Sequence, residues 1–147
     1  MKINDRAPAH ARDDILIAAP LELVWQLHCD VDNWANWQPD ISRAKLDTPL
    51  AIGASFTWKA GPAAIASRIE AFEPQRTMGW SGKAMGARAL HVWHFDRRGD
   101  QTYVETAESL EGLVIRMAGR KAQAMLEKTC RRWLEALKAE AERRHAG

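Results

Sequence analysis

Two residues of this chain have the chemistry to move a proton and the spacing to do it together: His91 in "ALHVWHF" and Glu108 in "TYVETAES". An imidazole titrates close to neutrality, and a carboxyl group held among apolar atoms stays protonated and can act as an acid. The two runs flank "DRRGDQ", whose Gly99 marks a hairpin connection, so the residues fall on neighbouring strands. Within the second run Val104, Thr106 and Glu108 share a face. If Val104 faces the core, so does Glu108, and a buried carboxylate then needs a donor or a cation. Two roles are open to it. It is either a satisfied structural residue near a cavity rim, or it works with His91 to polarise a ligand and move a proton. A metal motif is excluded for the histidines of this strand: His91 and His94 lie three apart, and on a strand they point to opposite faces. Cys29 and Cys130 form no CxxC pair and read as two buried free thiols of a cytosolic protein rather than zinc ligands. The chain has no nucleophile elbow, glycine-rich phosphate loop or HExxH run, so no metal and no cofactor is expected.

The second chemical resource is indole. The chain carries seven tryptophans, two of them, Trp34 and Trp37, in the turn-rich stretch "DNWANWQPD". Phe56 and Trp58 stand on one side of "SFTWKA", Met78 and Trp80 on one side of "TMGWSGK", and Ser67 lies between Ile65 and Ile69 on one face of "AIASRIEAF". A buried indole N–H requires an acceptor. Several inward indoles therefore imply polar neighbours or enclosed water, as in an aromatic-lined cavity, where the bland alternative is ordinary core.

These residues need elements to position them. Ile15–Ala18 predict a first strand. Pro20 suits the first helical position, and Leu21, Val24, Trp25 and Leu27 recur at three and four, which predicts a short helix over residues 20–28. A second helical turn ends before Pro39, with Trp34 plugging the core and Trp37 at the mouth. From residue 41 the period is two, interrupted by Gly61-Pro62, Pro74, Gly86 and Gly99, which predicts five or six antiparallel strands. After Gly112, Ile115, Ala118, Ala122, Met125, Leu126, Thr129, Trp133, Ala136 and Leu137 form one stripe of a helix over residues 114–143, with Gly119 able to kink it. Such a helix spans about 45 Å, enough to cross the whole sheet. Strands segregated from helices predict an α+β fold.

The chain of 147 residues suits one domain, with residues 1–12 expected as a poorly ordered extension. Neither an apolar leader nor a membrane-length run is visible, which predicts a cytoplasmic protein without integral membrane association. Net charge is +2; residues 113–147 carry 9 basic and 4 acidic side chains, read as a solvated helix face rather than a nucleic-acid site. The oligomeric state is left open.

The ordered series "APLELVW", "WANWQPDI", "FTW", "SRIEAFEP", "MGWSG", "HVWHF", "TAESLEG" and "RRWLEALKAEAE" resembles the helix-grip superfamily of START and birch-pollen-allergen-like proteins. It is most similar to the bacterial polyketide cyclase/dehydrase-like group, over roughly residues 13–142. The resemblance implies a curved antiparallel sheet gripping the C-terminal helix around a hydrophobic cavity. It also implies that His91, Trp93 and Phe95 face inward, which alternation alone leaves undecided. Ala122 and Met125 on the helix would then line the cavity, with Trp37, Phe56, Trp58, Ser67, Met78, Trp80, His91, Trp93 and Glu108.

Three functions follow. The first is binding of a small hydrophobic or aromatic, lipid- or polyketide-like molecule. The second is a cofactor-independent cyclase or dehydratase with His91 and Glu108 as acid–base residues. The third is a co-chaperone-like interaction module using the basic C-terminal helix. A core fully packed between helix and sheet would defeat the first.

Overall fold

The computed structural model describes all 147 residues. Its elements are β1 (Ala9–Ile17), α1 (Leu21–Cys29), a 3-10 turn (Val31–Asn36), β2 (Ile41–Leu46), β3 (Ser55–Ala60), β4 (Ala63–Glu73), β5 (Thr77–Ala84), β6 (Ala87–Arg98), β7 (Gln101–Glu111), α2 (Leu113–Ala118) and α3 (Arg120–Ala146). The seven strands form one antiparallel sheet in the order β1-β7-β6-β5-β4-β3-β2. The α+β helix-grip architecture follows: tight turns order β2 to β7 as a meander, and the first strand closes on the last. Alternation then gives the sheet one apolar face, and α3 with α1 covers it.

The helical connection before the meander is held by its own backbone. The Pro20 carbonyl accepts from the amides of Leu23 and Val24, which makes Pro20 the capping residue rather than the first helical one. The Trp34 indole donates to the His28 carbonyl at 2.9 Å, pinning the 3-10 turn to the end of α1.

Two expectations need correction. Residues 1–12 are not a loose extension. β1 starts at Ala9, and Ala9 pairs with Leu110 and Ala11 with Glu108. Ala9 and Ala11 are buried while His10 and Arg12 are exposed, an alternation that two small alanines make too weak to read. Ahead of it, Ile3 packs with Val92 and Ala107 on the sheet's outer face, and the Asn4 amide donates to Ser109 Oγ.

The inward stripe of the long helix also differs in part: Ile115, Ala122, Leu126, Trp133 and Leu137 are buried as expected, whereas Ala118, Met125 and Thr129 are not. Gly119, with φ 55° and ψ −120°, does more than kink the helix: it separates α2 from α3. The buried residues of α3 are Ala122, Leu126, Cys130, Trp133, Leu134, Leu137 and Ala141. Met125 is 59 % exposed, and Ala118 lies in solvent before the break. Thr129 is only half-buried and donates its hydroxyl to the Met125 carbonyl. One residue of phase is about 100° of helix rotation, which is enough to carry Met125 away from the sheet. A second glycine is dictated by contact: a Cβ on Gly112 would stand 2.4 Å from the Gly86 carbonyl oxygen.

Five cations of α3 are paired internally: Arg131 with Asp13 and Glu135, Arg132 with Asp40, Lys138 with Glu142, and Arg143 and Arg144 with Glu140. No helix is long and apolar enough to cross a membrane.

Candidate functional site

The inner face of β6 carries His91, Trp93 and Phe95, as the resemblance implied. His91 and Trp93 are fully buried, while His94 is exposed on the outer face beside Thr77. The β5–β6 register sets Trp80 beside His91 and Met78 beside Trp93; the β6–β7 register sets His91 beside Glu108. Phe56 and Trp58 on β3 complete the aromatic floor.

Over this floor sits Trp133 from α3. Its ring centroid lies 5.5 Å from Trp93, 5.2 Å from Trp34, 6.0 Å from Trp37, 6.2 Å from Trp58 and 6.4 Å from His91. His28 from α1 enters the same cluster, 4.4 Å from Trp93 and 5.8 Å from Trp80. The Trp133 ring, near the middle of α3, thus occupies the space in which an open cavity was expected. Two depressions of ≈ 710 and ≈ 650 Å³ are lined by other residues and lie away from this cluster.

Of the residues named from sequence, Trp37, Trp58, His91 and Trp93 converge on Trp133, and Trp80 joins the cluster through Trp34 and His91. Phe56 and Met78 are fully buried behind them. Ser67 serves Trp58, accepting its indole N–H at 3.0 Å. Ala122 belongs to a separate cluster with Ala9, Ala11, Ile115, Leu126 and Cys130, and Met125 faces solvent. Sequence reasoning missed His28, Trp133 and Cys130 as site residues. His28 stands four after Val24 and seven after Leu21, on the buried side of α1.

The electrostatics follow from burial. His91 is pushed down to about 3 by desolvation, and His28 to about 3 by desolvation and then by the neighbouring His91. Glu108 is pushed up to about 8 by desolvation. At neutral pH the three groups are thus uncharged. His91 Nδ1 stands 3.7 Å from Glu108 Oε1, which is too long for a hydrogen bond. Thr106 Oγ1 lies 2.8 Å from His91 Nε2 and 3.2 Å from the Val92 carbonyl oxygen, so its one proton serves one of two acceptors and the His91 tautomer follows from which it takes. His91 Nδ1 is enclosed and has no hydrogen-bond partner. Both nitrogens of His28 and the indole N–H groups of Trp37 and Trp93 are likewise buried without partners.

The family described as "Polyketide cyclase / dehydrase and lipid transport" matches residues 8–142. The chain belongs to this family. Solved structures agree on the fold that the family shares. A hypothetical protein from Helicobacter pylori superposes with a TM-score of 0.82 at 18% identity, covering 95% of this chain and 91% of its own. The Zhui aromatase/cyclase from a Streptomyces species gives 0.82 at 18% identity, covering 92% and 94%. A START superfamily protein from Mycobacterium smegmatis gives 0.81 at 12% identity, covering 91% and 97%. No curated protein matches the chain.

Proposed function

We propose that this member of the polyketide cyclase/dehydrase family binds a small hydrophobic molecule with an aromatic or polyketide-like ring system between α3 and the sheet. One observation carries the reading. Five buried nitrogens on His28, Trp37, His91 and Trp93 have no partner, and they surround one aromatic cluster. Each such group costs about 1–3 kcal/mol, and packing alone supplies no reason to bear that several times in one place. Their chemistry describes the ligand. Two indole N–H groups and one imidazole N–H seek carbonyl or phenolic oxygens, and the free imidazole lone pairs seek hydroxyl or enol protons. A flat, oxygenated ring meets both demands while stacking on indole. Binding requires Trp133 to swing aside. The break at Gly119 and the exposed apolar residues Leu113, Val114, Met117 and Met85 at the same end of the molecule support a path for an apolar guest.

Tryptophan fluorescence titration with hydroxylated naphthalenes and anthraquinones is the test. Saturable quenching together with a rise in melting temperature is expected. No quenching by any of them, with a thermal transition that does not move, would remove the reading.

The facing of His91 and Glu108 favours a second reading as a cyclase or dehydratase. A neutral imidazole beside a protonated carboxyl is a base next to an acid, and ring closure with loss of water needs one of each. With a poly-β-carbonyl thioester as substrate, His91→Gln should abolish ring closure and spare binding. Unchanged turnover in that variant would exclude His91 as the base.

A further inference from the structure

The thiol of Cys130 has no role in the ligand reading, yet it points toward the His91–Glu108 pair. His91 Nδ1, a Glu108 carboxylate oxygen and Cys130 Sγ lie within 4.8 Å of one another, contributed by β6, β7 and α3. We propose that these three side chains form a binding site for a divalent transition metal, zinc above all, with one coordination position left open. This site goes beyond the binding of an aromatic molecule and does not depend on it.

The donor set is the first argument. Imidazole, carboxylate and thiolate together suit zinc, and three protein ligands leave the fourth position to water or a substrate oxygen. Ligand atoms around tetrahedral zinc stand about 3.5 Å apart, given bonds of about 2.0–2.3 Å. The His91–Glu108 distance of 3.7 Å already matches, and Cys130 Sγ, within 4.8 Å of both, has at most about 1.3 Å to close.

The second argument is that His91 is prepared as a ligand. It is fully buried, its Nδ1 has no partner, and its Nε2 is hydrogen-bonded to Thr106 Oγ1 at 2.8 Å, a bond in which Nε2 donates once Nδ1 takes a metal. A hydrogen bond from the far ring nitrogen is what orients metal-bound histidines and directs their free lone pair. Thr106 in turn is anchored to the Val92 carbonyl.

Charge balance is the third. Without metal, the buried site holds a neutral imidazole, a carboxyl and a thiol. A divalent cation replaces the carboxyl and thiol protons, two protons leave per ion bound, and the site is neutral again. A largely buried trio of this kind avoids the cost of a net charge in a low-dielectric interior. The next carboxylate, Asp13, is engaged by Arg131 and stays outside the set. Glu108 keeps a 13 % exposed edge, which gives the ion a route from solvent.

Cobalt(II) titration of the chelator-treated full-length protein tests the site, because cobalt reports thiolate coordination by near-ultraviolet charge transfer and tetrahedral geometry by intense visible bands. Saturation at one equivalent with both signatures is expected, and zinc should displace the cobalt. Cys130→Ser should lose the charge-transfer band, Glu108→Gln should weaken binding at least tenfold, and Cys29→Ser should behave as wild type. Absence of a charge-transfer band in the wild-type protein overturns the proposal without reference to any variant. A band that survives Cys130→Ser, or that vanishes in Cys29→Ser, overturns it as well.

Discussion

Trp133→Ala should lower the unfolding free energy by about 3–5 kcal/mol, the cost of removing the largest kind of side chain from a packed interior. Trp133 is 2 % exposed and makes ring contacts with Trp34, Trp37, Trp58, Trp93, His28 and His91. Two of the neighbouring rings cannot collapse easily into the void, because they are held by hydrogen bonds: Trp34 by the His28 carbonyl, Trp58 by Ser67. The same change should create the chamber that the ligand reading requires. Free indole added to Trp133→Ala should restore a large part of the lost stability and leave the wild-type midpoint unmoved. Urea denaturation at increasing indole concentration reads both effects. If indole fails to stabilise the variant, the ring is ordinary core and the chamber around it cannot accept an aromatic guest.

The second large effect is a bell-shaped dependence of stability on pH in metal-free protein. His28 and His91 have folded-state values of about 3, against an ordinary value near 6.5. Below pH about 6.5 the unfolded chain takes up protons that the folded chain refuses, so stability falls toward acid at about 1.4 kcal/mol per pH unit for each histidine. Glu108 acts in the opposite direction. Its folded-state value is about 8 against an ordinary 4.5, so the folded chain keeps a proton that the unfolded chain has lost. Stability therefore declines between pH about 4.5 and 8 at about 1.4 kcal/mol per unit from this one group. Two histidines outweigh one carboxyl on the acid side, and the carboxyl acts alone above pH about 6.5, which places the maximum there. Chemical denaturation from pH 4.5 to 8.5 in the presence of a chelator measures the curve. Glu108→Gln should flatten the alkaline arm, and His28→Phe, which keeps a ring in the same place, should flatten the acid arm between pH about 4.5 and 6.5, where the remaining histidine and Glu108 then cancel. An alkaline arm unchanged by Glu108→Gln would mean that Glu108 is ionised in the folded protein.

The two reagents of the candidate site were legible because they sit on one hairpin. Gly99 and the period-two runs on either side of it set the β6–β7 register, and that register alone brings His91 opposite Glu108. The aromatic floor was legible for the same reason, since Phe56, Trp58, Met78 and Trp80 alternate cleanly with polar residues on their strands. Cys130 was not legible. It lies at the edge of a stripe whose expected members included Leu126 and Trp133 but continued through Thr129 where the structure buries Cys130. His28 went unread because a single polar residue closing an apolar stripe gives no sign of whether it faces in or out.

What the sequence by itself determined is the part governed by local periodicity. The segregation of period-two from period-3.6 segments specifies strands before a long helix, and tight turns between the strands specify an antiparallel meander. Only the tertiary structure decided how α3 is rotated over that sheet. The glycine break at residue 119 uncouples its phase from α2, and the seating of Trp133 among six other rings then sets it. The rotation sends Met125 into solvent and Cys130 toward His91 and Glu108. Local pattern fixes which residues of a helix share a face. Which face meets the sheet is settled by the volumes that must interlock across the interface, and these come from residues more than a hundred positions apart in the chain.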